Sequence, residues 1–233
     1  MIDWHTHVLP GMDDGSRNID ESIAMLSALR SQGIDCVIAT PHFIANSESV
    51  SDFLSRRTKS YNALIGEAKD GLPRILCGAE VSYYPGIGKM NDVHLLAIEN
   101  TKLLLVEMPI STWGEYVVKD LIELACTSGL TVILAHIERY FFLQPKGVFE
   151  RLRGSGILMQ SNASFFECCK TKRKAIKLLY SDMIHFIGSD CHNMTSRPPK
   201  IGEAYNYVRR KVGERIFSQI DDFGYQKLSE KQL

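Results

Sequence analysis

The sequence has no apolar run near the roughly 20 residues that cross a membrane, so we expect no membrane insertion. It also has no basic segment followed by an apolar stretch near its start, which predicts no secretion signal. An excess of charge of one sign is absent as well, because Lys plus Arg and Asp plus Glu each number 27. This balance argues against a nucleic-acid-binding protein that depends on bulk charge.

The cysteines lack both a C-x-x-C pair and the spacing of small disulfide-rich domains; they are at positions 36, 77, 126, 168, 169 and 191. We therefore expect reduced, mostly buried thiols in a cytoplasmic protein. Low-complexity linkers and Pro- or Gly-rich boundaries are also missing, which predicts one domain over residues 1–233. The basic run KTKRKAIK at 170–177 is expected to be a solvated helix face, with contact to an acidic partner as the alternative.

What the sequence does contain is a regular alternation of two patterns. Seven apolar, often β-branched runs recur at 1–5, 35–42, 74–80, 102–107, 131–136, 156–162 and 184–190. Helical patterns occupy 18–32, 50–69, 114–128, 145–153, 167–181 and 200–217, whereas 84–101 has no clear pattern. Strands that alternate with helices predict βαβ units and a parallel sheet.

The last residues of these seven runs share a chemical property. They are His5, His42, Glu80, Glu107, His136, Asn162 and Asp190, separated by 26 to 38 residues, about one βα unit each. Six of the seven can bind a metal ion. In a closed parallel barrel the C-terminal strand ends meet on one face, where catalytic groups collect. A single such residue could be a hydrogen-bonded core group, but converging imidazoles and carboxylates are strongly unfavourable without a cation.

Three further candidate ligands, His7, Asp14 and His192, lie in the loops just beyond those strand ends. The resulting five histidines and four carboxylates are too many for one tetrahedral zinc and fit two or three divalent ions, with Zn, Mn or Fe favoured over Ca. Adjacent divalent ions suit phosphate ester hydrolysis, because they lower the pKa of water and clamp attacking and leaving oxygens. Arg139 and Arg197 lie near these ligands and could bind phosphate oxygens in bidentate fashion, with surface salt bridging as the alternative.

The motifs HTHVLPGMDDGS, ATPH, GAE, VEMP, AHIERY and GSDCHNMTSRPP resemble the polymerase and histidinol phosphatase (PHP) superfamily, in particular its bacterial capsule-type tyrosine phosphatases. The resemblance runs from residue 1 to about residue 210. It implies a distorted (β/α)7 TIM-like barrel of the α/β class with a trinuclear metal centre. The implied ligand sets are His5, His7, Glu80 and Asp190 for one ion, Glu80, Glu107 and His136 for a second, and Asp14, His42 and His192 for the third. Glu80 would bridge two ions, and Arg139 and Arg197 would bind phosphate.

The activity implied by this resemblance is metal-dependent hydrolysis of phosphotyrosine on a partner tyrosine autokinase that governs polysaccharide export. His42 or His192 would stabilise the leaving phenolate. Phe43 stands where many relatives have a second histidine, and the C-terminal FGYQKLSEKQL lacks the usual apolar closing segment, which leaves tail packing and oligomeric state open. We expect at least two of four aromatic residues that follow strand ends to border the site, with core or surface packing as the alternative: Phe43, Trp113, Tyr140 and Phe165.

Other functions remain open at this point. Cys191 to Arg197 forms the C-x5-R pattern of cysteine-dependent tyrosine phosphatases, although this loop has no glycine and the arginine precedes Pro198. A small-molecule phosphoesterase such as histidinol phosphatase, or a nuclease-like one, would use a similar set of ligands. An amidohydrolase would add a lysine at a strand end, and no predicted strand ends in one. A non-catalytic metal-binding module would be expected to have lost ligands.

Overall fold

The computed structural model describes residues 1–68 and 70–230. Its strands are β1 (Ile2–Thr6), β2 (Cys36–Ala39), β3 (His42–Phe43), β4 (Arg74–Cys77), β5 (Glu80–Ser82), β6 (Leu103–Glu107), β7 (Thr131–Leu134), β8 (Leu158–Asn162) and β9 (Phe186–Gly188). Its α-helices are α1 (Ile19–Ser31), α2 (Val50–Glu67), α3 (Glu115–Thr127), α4 (Val148–Gly154), α5 (Ala163–Glu167), α6 (Lys172–Tyr180), α7 (Gly202–Val212) and α8 (Glu214–Ser229). Short 3-10 helices occupy Ile87–Lys89, Val93–Leu96 and Ile137–Arg139.

The strands are all paired in parallel and form a curled sheet. One part has the order β1-β2-β4 and the other the order β3-β5-β6-β7-β8-β9. The two parts meet where the runs at 35–42 and 74–80 each contribute a strand to both. On the other side, β1 and β9 approach each other, and Asp190 N donates to His5 O at 2.8 Å. The α/β architecture with a curled parallel sheet agrees with the predicted distorted (β/α)7 barrel.

Two of the seven predicted strands are interrupted, and the interruptions serve the site. The run at 35–42 breaks between β2 and β3, where Pro41 has no N–H to offer the ladder. The run at 74–80 breaks at Gly78, where a Cβ would lie 3.1 Å from Ile98. After both breaks the chain continues as β3 and β5, in which His42 is paired directly with Glu80. Two predicted ligands are therefore neighbours across a strand pair.

The helices follow the predicted patterns with some different boundaries. Helix α1 begins after Asn18, whose side chain accepts a hydrogen bond from Glu21 N, as the capping pattern indicates. The pattern at 167–181 covers α6 and only the end of α5. The pattern at 200–217 is divided by Gly213, whose φ of 82° ends α7 before α8 starts. The predicted end of the second helix, Lys69, lies outside the described residues.

The C-terminal segment packs against the inside of the curled sheet. Alternate strand residues such as Trp4, Leu105 and Phe186 form an interior apolar cluster, and helix α8 contacts it. Phe223 stacks on Phe186 with ring centroids 5.8 Å apart. Gly224 packs directly over Trp4, because a Cβ at this position would lie 3.1 Å from the indole. The tail therefore packs on the interior cluster through Phe223, Gly224 and Leu228, although it lacks the apolar closing segment that is usual in the resembling family.

The structure gives the burial of the cysteines and the apolar length of the helices. Half of the cysteines are buried rather than most of them: Cys36, Cys77 and Cys191 are buried, whereas Cys126, Cys168 and Cys169 are exposed. The exposed thiols lie on helix α3 and between α5 and α6, on the outer surface. Among the described helices, none is both long and apolar enough to cross a bilayer.

Candidate metal centre

All nine predicted ligands lie together at the C-terminal ends of the strands. The floor of the cluster consists of residues that are at most 1% exposed: His5, His7, Glu80, His136 and His192. Asp190 is buried as well, at 5%. The side chains of Glu107, His42 and Asp14 are more open, at 24%, 26% and 66% exposure. The centre is thus a depression with a buried floor and an accessible edge.

The first group of donor atoms comes from β1, β5 and the loop that follows β9. His5 Nε2 and His7 Nε2 lie 3.1 Å apart. Glu80 Oε2 is 3.1 Å from the former and 3.3 Å from the latter. Asp190 Oδ1 is 3.6 Å from each of these two nitrogens. These four side chains are the set that the resemblance implies for one ion.

Glu80 also faces a second group of donor atoms. Its Oε1 lies 2.9 Å from His136 Nε2, and the same nitrogen is 3.3 Å from Glu107 Oε1. The two oxygens of Glu80 therefore point to different groups, as a bridging ligand requires. His42 Nδ1 approaches the Oε2 side of this carboxylate at 3.1 Å.

The third group lies at the open edge. Asp14 Oδ1 is 3.5 Å from His42 Nε2 and 3.4 Å from His192 Nε2. Three sets of side chains each bring one donor atom per residue within 4.8 Å of the others: His7, Asp14, His42 and His192; His5, His7 and Asp190; and His42, Glu80 and Glu107. His7 and His42 each belong to two of these sets, so the candidate ligands form one continuous centre.

The arrangement fits divalent cations better than hydrogen bonding alone. Among the described residues, the buried atoms Glu80 Oε2 and His192 Nε2 have no hydrogen-bond partner. Buried polar atoms without partners are costly, and cations bound in the first and third groups would satisfy them. Imidazole and carboxylate donors together suit Zn, Mn or Fe. The donor atoms at this centre therefore suit the divalent metal ions that the sequence predicts.

Backbone strain coincides with two of these positions. His136 has a φ of 31° and Asp190 a φ of 55°, in the left-handed region that non-glycine residues rarely adopt. Such conformations cost on the order of 1–3 kcal/mol and persist where the surrounding structure enforces them. At both residues the turn redirects the chain at the end of a strand and points a donor atom towards the centre.

Opposite charges in the floor shift several pKa values. Burial opposes charging of His7, but the adjacent carboxylates of Asp13 and Glu80 raise its pKa to about 10. Burial likewise opposes ionisation of Glu80, but the neighbouring histidines, His5 first, hold its pKa well below the usual range. Burial and the charge of His7 lower the pKa of His192 to about 4, so His192 is neutral at pH 7 and keeps a free lone pair. Protons on some histidines thus balance the carboxylate charge in the absence of cations.

Several orienting residues were not predicted from the sequence. Asp13, which precedes the candidate ligand Asp14, accepts hydrogen bonds from His7 Nδ1 and His42 N, both at 2.8 Å. Gln160 Oε1 accepts one from His136 N at 2.6 Å, and Asn162 Nδ2 donates to Asp190 Oδ2 at 2.8 Å. Such partners fix the orientation of metal-binding side chains. In the sequence, the only sign of these orienting residues is Asn162, which ends a predicted strand but is not a typical metal ligand.

The two predicted phosphate-binding arginines converge above this floor. Arg139 Nη2 and Arg197 Nη2 donate to the two different oxygens of Asp190. Their side chains come from separate loops and are 32% and 38% exposed. Both guanidinium groups therefore stand beside the candidate ligands and remain accessible to an anion that enters from solvent.

Comparison with known proteins places this geometry in a family. The family model described as "Capsular polysaccharide synthesis, CpsB/CapC" matches residues 1–223. The chain belongs to the CpsB/CapC family.

Relatives in the CpsB/CapC family carry phosphatase names. The chain is 30% identical to the tyrosine-protein phosphatase CpsB of Streptococcus pneumoniae, with 94% of each chain covered. It is 29% identical to the tyrosine-protein phosphatase YwqE of Bacillus subtilis, with 93% of this chain and 87% of that protein covered. A crystal structure described with B. subtilis YwqE and S. pneumoniae CpsB as metal-dependent tyrosine phosphatases matches with a TM-score of 0.82 and 26% identity. That match covers 100% of this chain and 96% of the other.

The aromatic residues expected to border the site belong instead to the core of this CpsB/CapC chain. Phe43 and Tyr140 are fully buried, and Trp113 and Phe165 are 4% and 6% exposed. Only Tyr140 touches a candidate ligand, because its hydroxyl lies 3.1 Å from His136 Nδ1. The core alternative therefore describes these four side chains better than contact with a substrate ring.

The cysteine-dependent alternative does not fit the loop that follows β9. Cys191 is 1% exposed, and burial raises the pKa of its thiol far above the usual value. The loop amides that would cradle phosphate are already used. His192 N donates to Arg197 O, and the amides of residues 195–197 donate to Asn193 Oδ1. A buried thiol without free amides around it is unsuited to attack a phosphate ester.

Proposed function

We propose that this chain is a metal-dependent protein tyrosine phosphatase that hydrolyses phosphotyrosine without a covalent phosphoenzyme. The observation that carries the proposal is the convergence of three groups of metal-binding atoms beneath two accessible arginines. The proposed ligands are His5, His7, Asp14, His42, Glu80, Glu107, His136, Asp190 and His192, which would hold two or three Mn, Fe or Zn ions. When bound, these ions would neutralise phosphate charge and lower the pKa of water.

The remaining steps belong to side chains of the protein. Arg139 and Arg197 bind the phosphate oxygens from two sides and orient the ester bond over the floor. The buried imidazoles below them limit the access of bulk water. His42 and His192 were expected to stabilise the leaving phenolate, and His42 is the more accessible of the two, at 26% exposure against 1%. Because both are also proposed ligands, they would act on the phenolate through the ion that they hold. A phenolate is a weak base, so it needs no strong proton donor.

The substrate and context follow from the family to which the chain belongs. We infer that the substrate is a phosphotyrosine on a protein, namely a bacterial tyrosine autokinase of capsule or exopolysaccharide synthesis. The description of the family supports this context. We further propose that residues 1–233 act as one phosphatase domain in the cytoplasm, where such a kinase would present its phosphorylated segment.

Two paired measurements test the proposal. Removal of metal by a chelator should abolish turnover of a phosphotyrosine peptide, and addition of Mn should restore it. Cys191→Ser should keep most of the activity, because the thiol takes no part in the reaction. Full activity in chelator together with loss of activity in Cys191→Ser would instead indicate the cysteine mechanism.

A comparison of substrates addresses the second candidate function. The wild-type protein should hydrolyse the phosphotyrosine peptide with a higher kcat/KM than histidinol phosphate. The reverse preference would identify a small-molecule phosphoesterase that uses the same ligands. A covalent phosphoenzyme trapped during turnover would contradict direct attack by water.

A further inference from the structure

Two exposed apolar side chains lie beside the candidate metal centre. Phe142 is 85% exposed and Ile110 is 69% exposed, which are the highest values for large apolar side chains among the described residues. Ile110 lies in the loop after β6, which ends in Glu107, and Phe142 lies in the segment after β7, which also contains His136. We call Ile110 and Phe142 the apolar ledge.

The ledge is close to the phosphate-binding residues by chain geometry alone. Ile110 is three residues after Glu107, and Phe142 is three residues after Arg139. Three residues span at most about 11 Å between Cα atoms, so each side chain stands near the edge of the depression. A phosphotyrosine whose phosphate lies at the arginines would place its neighbouring residues at this distance.

Hydrogen bonds hold the two loops of the ledge together. Thr112 Oγ1 donates to Leu143 O at 3.0 Å, and Gln144 Nε2 donates to Ser111 O at 2.8 Å. Trp113 N donates to Gln144 Oε1 at 2.9 Å. The exposed side chains therefore stand on loops whose backbones are fixed to one another. A surface that is already ordered loses little conformational entropy when a partner binds.

A lysine nitrogen lies over one face of Phe142. Lys174 Nζ lies 4.0 Å from the centre of the Phe142 ring and 4.8 Å from that of Phe141. This contact orients the ring and adds positive charge beside it. The other face is left for an apolar side chain, and the charge of Lys174 favours a partner with acidic character.

From these observations we propose that the apolar ledge binds an apolar residue next to the phosphotyrosine in the substrate polypeptide. The inference rests on the proposed function and adds a specificity determinant to it. Exposed apolar surface beside a functional site commonly marks a binding surface. The depression holds the phosphate, and the ledge would distinguish one phosphorylated segment from another.

The test uses two phosphotyrosine peptides that differ only beside the phosphotyrosine, where one has leucines and the other glycines. With Mn present, wild type should favour the leucine peptide by about tenfold in kcat/KM, as expected for partial burial of such side chains. In the double variant Ile110→Ser, Phe142→Ser this preference should fall to less than about twofold. Anisotropy with phosphonate analogues of both peptides should give the same pattern in binding affinity.

Ile65→Ser serves as the matched control. Ile65 is 44% exposed but lies near the end of α2, before β4 starts and therefore at the opposite end of the strands. This variant should keep the wild-type preference, and unchanged melting temperatures would show that all variants fold.

The results that would contradict the ledge differ from those that would contradict the proposed function. Equal use of both peptides by wild type, or an unchanged preference in the double variant, would overturn the ledge while leaving the phosphatase assignment intact. Hydrolysis of histidinol phosphate but of neither peptide would overturn the proposed function itself. A change of oligomeric state in the double variant with unaltered peptide affinity would show that a second copy covers the ledge, which also overturns the inference.

Discussion

Asp13 illustrates what a single residue contributes outside the ligand set. Its carboxylate accepts hydrogen bonds from Gly15 N, His7 Nδ1 and His42 N. The first bond shapes the turn, and the other two join the first and third groups of donor atoms. One side chain therefore serves both the local fold and the orientation of two candidate ligands.

We predict that Asp13→Asn weakens metal binding by about 10- to 100-fold, the usual effect of removing a carboxylate that orients a ligand. An amide has one acceptor atom, so its NH2 group must face at least one of the three N–H donors. Affinity for Mn can be measured by competition with a fluorescent chelator. Asp92→Asn is the control, because the Asp92 side chain makes no capping hydrogen bond to the 3-10 helix that follows it. Equal metal affinity in both variants would show that Asp13 serves only the turn.

At this scale the sequence predicts the types of ligand but not the residues that orient them. The nine candidates stand out because each ends a predicted strand or lies in the loop just after one, and their chemistry is unusual for a buried position. Asp13 resembles any aspartate before glycine until the chain folds back, when Ser16 N donates to His7 O at 3.0 Å. The direction of a side chain also depends on packing, which is why Phe43 and Tyr140 proved to be core residues.

At the scale of elements, strand spacing predicts the site because parallel strands all end on the same face. The interruptions at Pro41 and Gly78 were not predicted, since an apolar run looks the same whether or not its ladder is continuous. The two 3-10 helices, Ile87–Lys89 and Val93–Leu96, were also not predicted, because 84–101 shows no clear pattern. Their turns satisfy few hydrogen bonds of their own and depend on contacts with the rest of the chain.

The approach of β1 and β9 requires a glycine. A Cβ on Gly188 would lie 2.5 Å from His5 Cβ and 2.8 Å from Gln160 Nε2, closer than real carbon atoms approach. We predict that Gly188→Ala lowers the free energy of unfolding by about 1–3 kcal/mol, because the two strands must separate. It should also weaken metal binding, since His5 moves with β1. Urea unfolding in chelator measures the first effect separately from the second.

Gly66→Ala provides the contrast for this prediction. Gly66 lies in helix α2, and among the described residues no heavy atom would be within 4 Å of its Cβ. Alanine at this site should raise the free energy of unfolding by about 0.5 kcal/mol, because it restricts the unfolded chain. If both variants were as stable as wild type, the close contact between position 188 and His5 would not require a glycine.

At the scale of the whole molecule, the candidate centre joins distant parts of the chain. Its ligands come from the ends of β1, β3, β5, β6, β7 and β9 and from the loops that follow them. His5 and Asp190 face the same group of atoms although 185 residues separate them. The overall fold was predictable because periodicity and resemblance agree, whereas the closure by α8 was not, since a polar tail gives little sign of where it packs.

A site assembled from the whole chain should bind metal only when the protein is folded. We therefore predict that Mn at about 100 times its Kd adds about 2.7 kcal/mol of stability and raises Tm by roughly 5–10 °C. The shift should shrink as the pH falls from about 8 to about 5.5, because imidazole and carboxylate ligands must lose their protons to bind a cation. Thermal unfolding with chelator or Mn at both pH values measures it. Glu80→Gln should lose most of the shift, because the bridging oxygen becomes an NH2 group; an undiminished shift in that variant would mean that Mn stabilises the protein elsewhere.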